Sequence, residues 1–319
     1  MFRYAILCTM ALIMLFSASL VFAHSGGTAK AFFAQKPPEL DGKVDAEFEK
    51  HWDEYQKADM HMDVERVPDW FLFEETSPNR VSRGTIDDAE DLSNNFGFLF
   101  DEDRLYYVGV VKDANLPTDI NSGEAKNKGG PTAPNTSELW LEFEWEHNAC
   151  RQPKGNDDRD LAQVDCCKPQ PGDHWWRIKP WTGSGTSEPA CWWNHGQNAV
   201  LGDRHVFDPD CTANSAATQT GDGMIIEVHL DYKDGQKIST IAPFEFQDGM
   251  VTGFDSTMND HEEAGASREG SISWASSFEN DNCVCIYGDL QFVGVRSVTP
   301  KDKLPQTWGN IKLNAERGL

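Results

Sequence analysis

Residues 253–274 read G-F-D-S-T-M-N-D-H-E-E-A-G-A-S-R-E-G-S-I-S-W. The first half is an apolar-leaning strand that turns abruptly polar at Asn259 and Asp260. An acidic loop follows, and beyond Arg268 a second short strand ends in Ile272-Ser273-Trp274. Carboxylates gathered at the mouth of a hairpin offer the oxygen ligands that Ca²⁺ and sugar hydroxyls both accept. Asp255, Asp260 and Glu262 are therefore candidate Ca²⁺ ligands. A plain hairpin with a solvated acidic loop has the same pattern, so the flanking chain must decide between them.

The flanks are strands as well. From Asn95 to Asp113, Phe96, Phe98 and Phe100 alternate up to a turn at Asp101-Glu102-Asp103-Arg104, and Leu105 to Val111 alternates again, which predicts a β-hairpin. Between Thr136 and Trp145, Leu139, Leu141, Phe143 and Trp145 take one face; Glu138, Trp140, Glu142 and Glu144 take the other. Charge on the second face assigns it to water or a ligand. Met224 to Tyr232 predicts a mostly buried strand and Asp289 to Ser297 a closing one. Helical signal is confined to Lys36–Tyr55, where Phe48 and Trp52 stand four residues apart. Residues 56–94 read as strand plus long polar loop, with Trp70, Phe71 and Phe73 as apolar anchors. Short alternating strands separated by turns predict an all-β fold: an antiparallel β-sandwich, jelly-roll or immunoglobulin-like, over residues 37–297. Residues 24–36 form a polar lead without an evident partner, and residues 298–319 a loose tail.

The 319 residues carry a net charge of −24, which disfavours nucleic acid, since phosphates would be repelled. Residues 1–23 read as a secretory signal, with Arg3 before the apolar run and Val21-Phe22-Ala23 at the cleavage site. A secreted or periplasmic location follows, with no membrane span in the mature chain. Seven cysteines lie beyond residue 23: Cys150, Cys166, Cys167, Cys191, Cys211, Cys283 and Cys285. In an oxidising compartment they read as disulfides, concentrated in a cysteine- and tryptophan-rich insertion at 147–221; the odd number leaves one over.

Five blocks occur in order: E-L-D-G-K-V-D at 39–45, F-D-E-D-R-L-Y-Y-V-G-V-V-K-D at 100–113, N-T-S-E-L-W-L-E at 135–142, M-I-I-E-V-H-L at 224–230, and the hairpin of 253–274. With Tyr287-Gly288-Asp289-Leu290 closing, the series resembles family 9 carbohydrate-binding modules. The resemblance implies a non-catalytic β-sandwich with structural Ca²⁺ that binds a glycan or sugar terminus, and partner hydrolases that break down polysaccharide. It puts sugar contacts at Glu138, Arg177, Thr257, Asn259, Asp260 and Asn280. The family's two sugar-stacking tryptophans are missing: Pro131-Thr132-Ala133 has no aromatic, and Phe278 to Asp281 has only Phe278. Trp175, Trp176, Trp192 or Trp193 are the available substitutes; packing of the insertion is their other reading. Loss of stacking also opens an alternative, the same fold kept as a structural or protein-interaction domain.

No G-x-S-x-G, H-E-x-x-H or P-loop occurs, so catalysis is not expected. Two other chemistries stay open. Cleavage after Ala23 would expose His24, which could bind copper with a second histidine from His51, His61, His174 or His195. Haem b would take axial ligands from Met62, Met224, Met258 or His229.

Overall fold

A computed structural model describes residues 27–71, 79–114, 138–144, 173–179, 188–190, 192–193, 206–207, 213–231, 246, 248–260, 269–276 and 286–294. Their order is β1 (Thr28–Phe33), α1 (Ala46–Glu49), α2 (Trp52–Lys57), β2 (His61–Met62), β3 (Val81–Gly84), β4 (Leu92–Phe100) and β5 (Arg104–Asp113). There follow β6 (Glu138–Glu144), β7 (Asp173–Lys179), β8 (Glu188–Ala190), β9 (Trp192–Trp193), β10 (Val206–Phe207) and β11 (Ala213–Gln219). The last four are β12 (Gly223–Asp231), β13 (Val251–Asp260), β14 (Gly270–Ser273) and β15 (Gly288–Val293). The fold is all-β, as the alternation predicts. The seven cysteines after residue 23 lie outside the described residues, as do residues 1–26 and the tail.

Thirteen of these strands form one sheet, whose main path is β11-β12-β5-β4-β1-β15-β13-β6-β7-β8; β9 and β10 pair separately. The expected antiparallel rule fails at β1. This strand lies parallel to both β4 and β15, with Ala31 opposite Phe98 on one side and Phe292 on the other. Thus part of the presumed partnerless lead is a central strand. Its inward residues, Ala29 and Ala31, are small, so bulky neighbours close over them.

The sheet folds over its own core. Phe98 of β4 meets Phe254 of β13 at 4.9 Å between ring centroids and Phe143 of β6 at 6.2 Å, although β13 and β6 are three and four strands away along the sheet. Phe96 meets Phe254 and Trp274, each at 6.0 Å. Such tilted and edge-on ring pairs add to the burial of their large apolar surfaces. The β4–β5 hairpin closes as read: Asp101 Oδ1 accepts the N–H groups of Asp103 and Arg104, both at 2.8 Å.

The single amphipathic helix expected near Phe48 and Trp52 is instead two short helices. Phe48 of α1 and Tyr55 of α2 are the buried residues, while Trp52 is half-buried. Tyr55 lies on β4 and donates its hydroxyl to Phe98 O at 2.7 Å. Gly97 makes that approach possible, because a Cβ there would stand 2.5 Å from the Tyr55 ring. The E-L-D-G-K turn docks on β12. Glu227 Oε2 accepts the N–H groups of Asp41 at 2.9 Å and Gly42 at 2.7 Å, with Gly42 at φ +75°.

Candidate functional site

Register assembles the site. In β13–β6, Asn259 stands opposite Glu138, Thr257 opposite Trp140 and Asp255 opposite Glu142. In β6–β7, Trp140 stands opposite Arg177 and Glu142 opposite Trp175. Directly opposed residues of antiparallel strands share a face, with Cβ atoms about 5 Å apart. Glu138, Trp140, Glu142, Trp175, Arg177, Asp255, Thr257 and Asn259 therefore belong to one face. Leu139, Leu141, Phe143 and Ile178, in the alternate register, are fully buried, which identifies the other face as the core side.

Polar residues continue the band across β14. Thr257 and Ser273 lie opposite each other, their hydroxyl oxygens 3.0 Å apart. Ser271 lies opposite Asn259 and shares a 3.0 Å hydroxyl contact with Ser82. Asn259, Ser271 and Ser273 are buried, whereas Thr257 is half-buried.

The expected contacts thus divide. Glu138, Arg177, Thr257, Asn259 and Trp175 come together on one face. Trp176 falls in the alternate register, opposite Leu141, and Asp260 in that of Gly270. Asn259 and Asp260 belong to β13 itself and not to the loop suggested by their polarity, because the ladder with β14 runs to Asp260–Gly270. Asn280 and Glu262 lie outside the described residues. Trp140 is absent from the expected contacts, yet its place between Glu138 and Glu142 in the alternation could have marked it.

Asp255 and Asp260 are five residues apart on a strand, which is about 16 Å and opposite faces, so a cation would meet them separately. Burial pushes the Asp255 carboxyl up to about 8, against the N–H groups of Ala275 at 2.8 Å and Ser256 at 2.7 Å. Among the described residues no group of three or more His, Cys, Asp or Glu is arranged to hold a metal. Met62, Met224 and Met258 pack in the apolar core. His229 sits edge-on to Tyr106, and burial lowers its imidazole to about 4. His51 stacks on Phe32, and His174 stands opposite Phe143 on β7; His24 and His195 lie outside the described residues.

A second polar cluster lies in the stretch read as irregular. Arg80 is fully buried: Nη1 donates to Trp274 O at 2.7 Å, Nε donates to Arg66 O at 2.9 Å, and Nη2 lies 3.5 Å from Asp59 Oδ2. Its guanidinium covers the rings of Trp70 and Phe71, at 5.6 and 5.2 Å. Burial lowers its pKa to about 10, a value at which it stays charged near neutrality. His61 Nδ1 lies 2.9 Å from Asp59 Oδ1, and Asp59 O accepts the Trp274 indole N–H at 2.9 Å. Arg80 immediately precedes β3 and Trp274 immediately follows β14, so the bond between them joins the start of β3 to the end of β14.

Neither a protein-family model nor a curated protein matches the chain. Among solved structures, a family 9 carbohydrate-binding module from Caldicellulosiruptor kristjanssonii in complex with cellotriose is similar, with a TM-score of 0.50 and 13% identity over 85% of this chain and 96% of that one. A family 9 module from the same organism in complex with glucose gives a TM-score of 0.47 at 14% identity, covering 85% of this chain and 100% of its own. The chain therefore has a family 9-like fold. No helix among the described residues is long and apolar enough to cross a membrane.

Proposed function

We propose that this protein is an exported, non-catalytic binder of a glycan or sugar terminus, with the β13–β6–β7 face as its recognition surface. One observation carries the reading: strands far apart in sequence bring Glu138, Arg177, Thr257 and Asn259 to one face of the sheet. A carboxylate and a guanidinium supply acceptors and fixed donors, the complement that sugar hydroxyls need. The fold supports the same reading, since the similar module was solved with cellotriose. In this proposal the segment 1–23 directs export, the cysteines staple the insertion, and partner hydrolases act on the bound polysaccharide. Structural Ca²⁺ belongs to it as well, with Asp260 at the end of β13 and Glu262 just after it in sequence as donors.

The second reading, a structural or protein-interaction domain, is favoured by the burial of Asn259 and Ser273 on the same face. A glycan array of the mature protein, run with Ca²⁺ and again with chelator, separates the two. Selective binding that is lost in both Glu138→Ala and Arg177→Ala, with folding intact by circular dichroism, is the expected result. Wild-type binding by both variants would refute the site, and a blank array with folded protein would refute sugar binding and leave the interaction domain. Loss of binding in chelator alone would bring Ca²⁺ into recognition.

A further inference from the structure

The turn between β1 and α1 is held down by one side chain. On β12, Glu227 alternates with Ile226 and Val228, which belong to the core, and so lies on the outer face, where residues 39–45 bury it. Its Oε2 accepts the N–H groups of Asp41 at 2.9 Å and Gly42 at 2.7 Å. Its Oε1 is buried as well and has no hydrogen-bond partner among the described residues. A buried oxygen without a donor costs more when it shares a negative charge than when the carboxyl is neutral. The seated turn therefore favours the protonated acid.

The surroundings act in the same sense. Asp41 opposes a second negative charge, whereas Lys43 is drawn to it but is already paired with Asp41 at 2.6 Å; Glu39, at the start of the turn, is the other charge near Lys43. Opposite Glu227, β5 and β11 present Val108 and Ala216, which do not titrate. The next residue of β12 on this face, His229, lies edge-on to Tyr106, and burial holds its imidazole down at about 4. In α1, Glu47 pairs with Lys50. Burial outweighs the two N–H bonds and pushes the Glu227 carboxyl up to about 7. The fit is close: at Gly42, with φ +75°, a Cβ would stand 2.3 Å from Thr218 Oγ1 of β11. Water reaches Oε1 only when the turn lifts.

We infer that the 39–45 turn is a pH-sensitive latch, seated on β12 while Glu227 is protonated and lifted when it ionises. The strands beneath need not open, because β12 keeps its ladders to β5 and β11. In the lifted form the carboxylate is hydrated and titrates in the ordinary range. The seated value lies above the lifted one, so seating is firmest below the ordinary carboxylate range and weakens as pH rises through neutrality.

The test is amide hydrogen exchange of the full mature protein at pH 5, 6, 7 and 8, with each rate divided by the intrinsic rate at that pH and read by mass spectrometry. Peptides covering 39–45 are compared with peptides covering 96–108 of the β4–β5 hairpin, in wild type and in Glu227→Gln, whose folding is checked by circular dichroism. Corrected exchange of 39–45 should rise about tenfold or more from pH 5 to pH 8 and stay faster than that of 96–108 throughout. In Glu227→Gln the rise should vanish. A flat wild-type profile, or exchange of 39–45 at the rate of 96–108 at every pH, overturns the latch without recourse to the variant. A rise that persists in Glu227→Gln assigns the titration to another group and overturns it too.

Discussion

Glu227 offers the sharpest test of the packing. Its carboxylate is buried, one oxygen taking the N–H groups of Asp41 and Gly42. Burial raises its pKa from 4.5 to about 7, despite those two bonds. The folded state therefore holds a proton that the unfolded chain has released between those values, and stability falls as pH rises through that window. At ~1.4 kcal/mol per tenfold, the displacement corresponds to about 3 kcal/mol, of which about 2–3 kcal/mol is lost between pH 5 and pH 8. Glu227→Gln keeps an oxygen for both N–H donors and removes the charge. Its stability relative to wild type should improve by about 2–3 kcal/mol across that interval. Asp255 titrates in the same direction but is present in both proteins, so it cancels in the difference. Urea midpoints at pH 5, 6, 7 and 8, followed by tryptophan fluorescence, measure the two curves. Parallel curves would refute the assignment of a buried, charge-destabilised carboxylate beneath the E-L-D-G-K turn.

Two further substitutions probe the interior. Arg80→Met should cost about 3–5 kcal/mol by urea denaturation, because it leaves Trp274 O and Arg66 O without their donor and the partly buried Asp59 carboxylate without its cation; a loss below about 1 kcal/mol would show that the guanidinium is incidental. Gly97→Ala should cost about 1–3 kcal/mol, since the new methyl would press on the Tyr55 ring. In combination with Tyr55→Leu the two losses should sum to less than their separate values, and strict additivity would count against the contact.

How much of this was legible depends on whether a pattern is local. The β4–β5 hairpin was plain, because Phe96, Phe98 and Phe100 alternate and Asp101 supplies its own turn acceptor within three residues. The two faces of β6 were equally plain, and with them the candidate face: Glu138 and Trp140 are charged or aromatic where Leu139 and Leu141 are apolar. The Arg80 cluster was not. Residues 56–94 are polar and read as strand plus long loop, yet Asp59, His61 and Arg80 come together in a buried cluster beside a turn that places Asp59 at φ +57°. Such pairing is a property of distance, and composition carries none of it.

The strand β1 shows the same limit at the scale of the fold. Thr-Ala-Lys-Ala-Phe-Phe has no bulky alternation, because its inward positions are alanines beneath the aromatic core. Its two ladders, to β4 and β15, close loops of about 60 and 260 residues, and parallel pairing has no tight turn to announce it. What identifies the strand is the space left between its neighbours: Phe98 and Phe292 both need a partner small enough to lie between them, and Ala31 is that partner. The weakness of the local pattern is thus a consequence of the central position. The same ordering bears on the candidate site, for β15 carries β13, and β13 holds β6 in the register that puts Glu138 beside Asn259. The register of the proposed face thus depends on a short apolar-and-alanine strand, although none of its residues lies on the β13–β6–β7 strands that form the face.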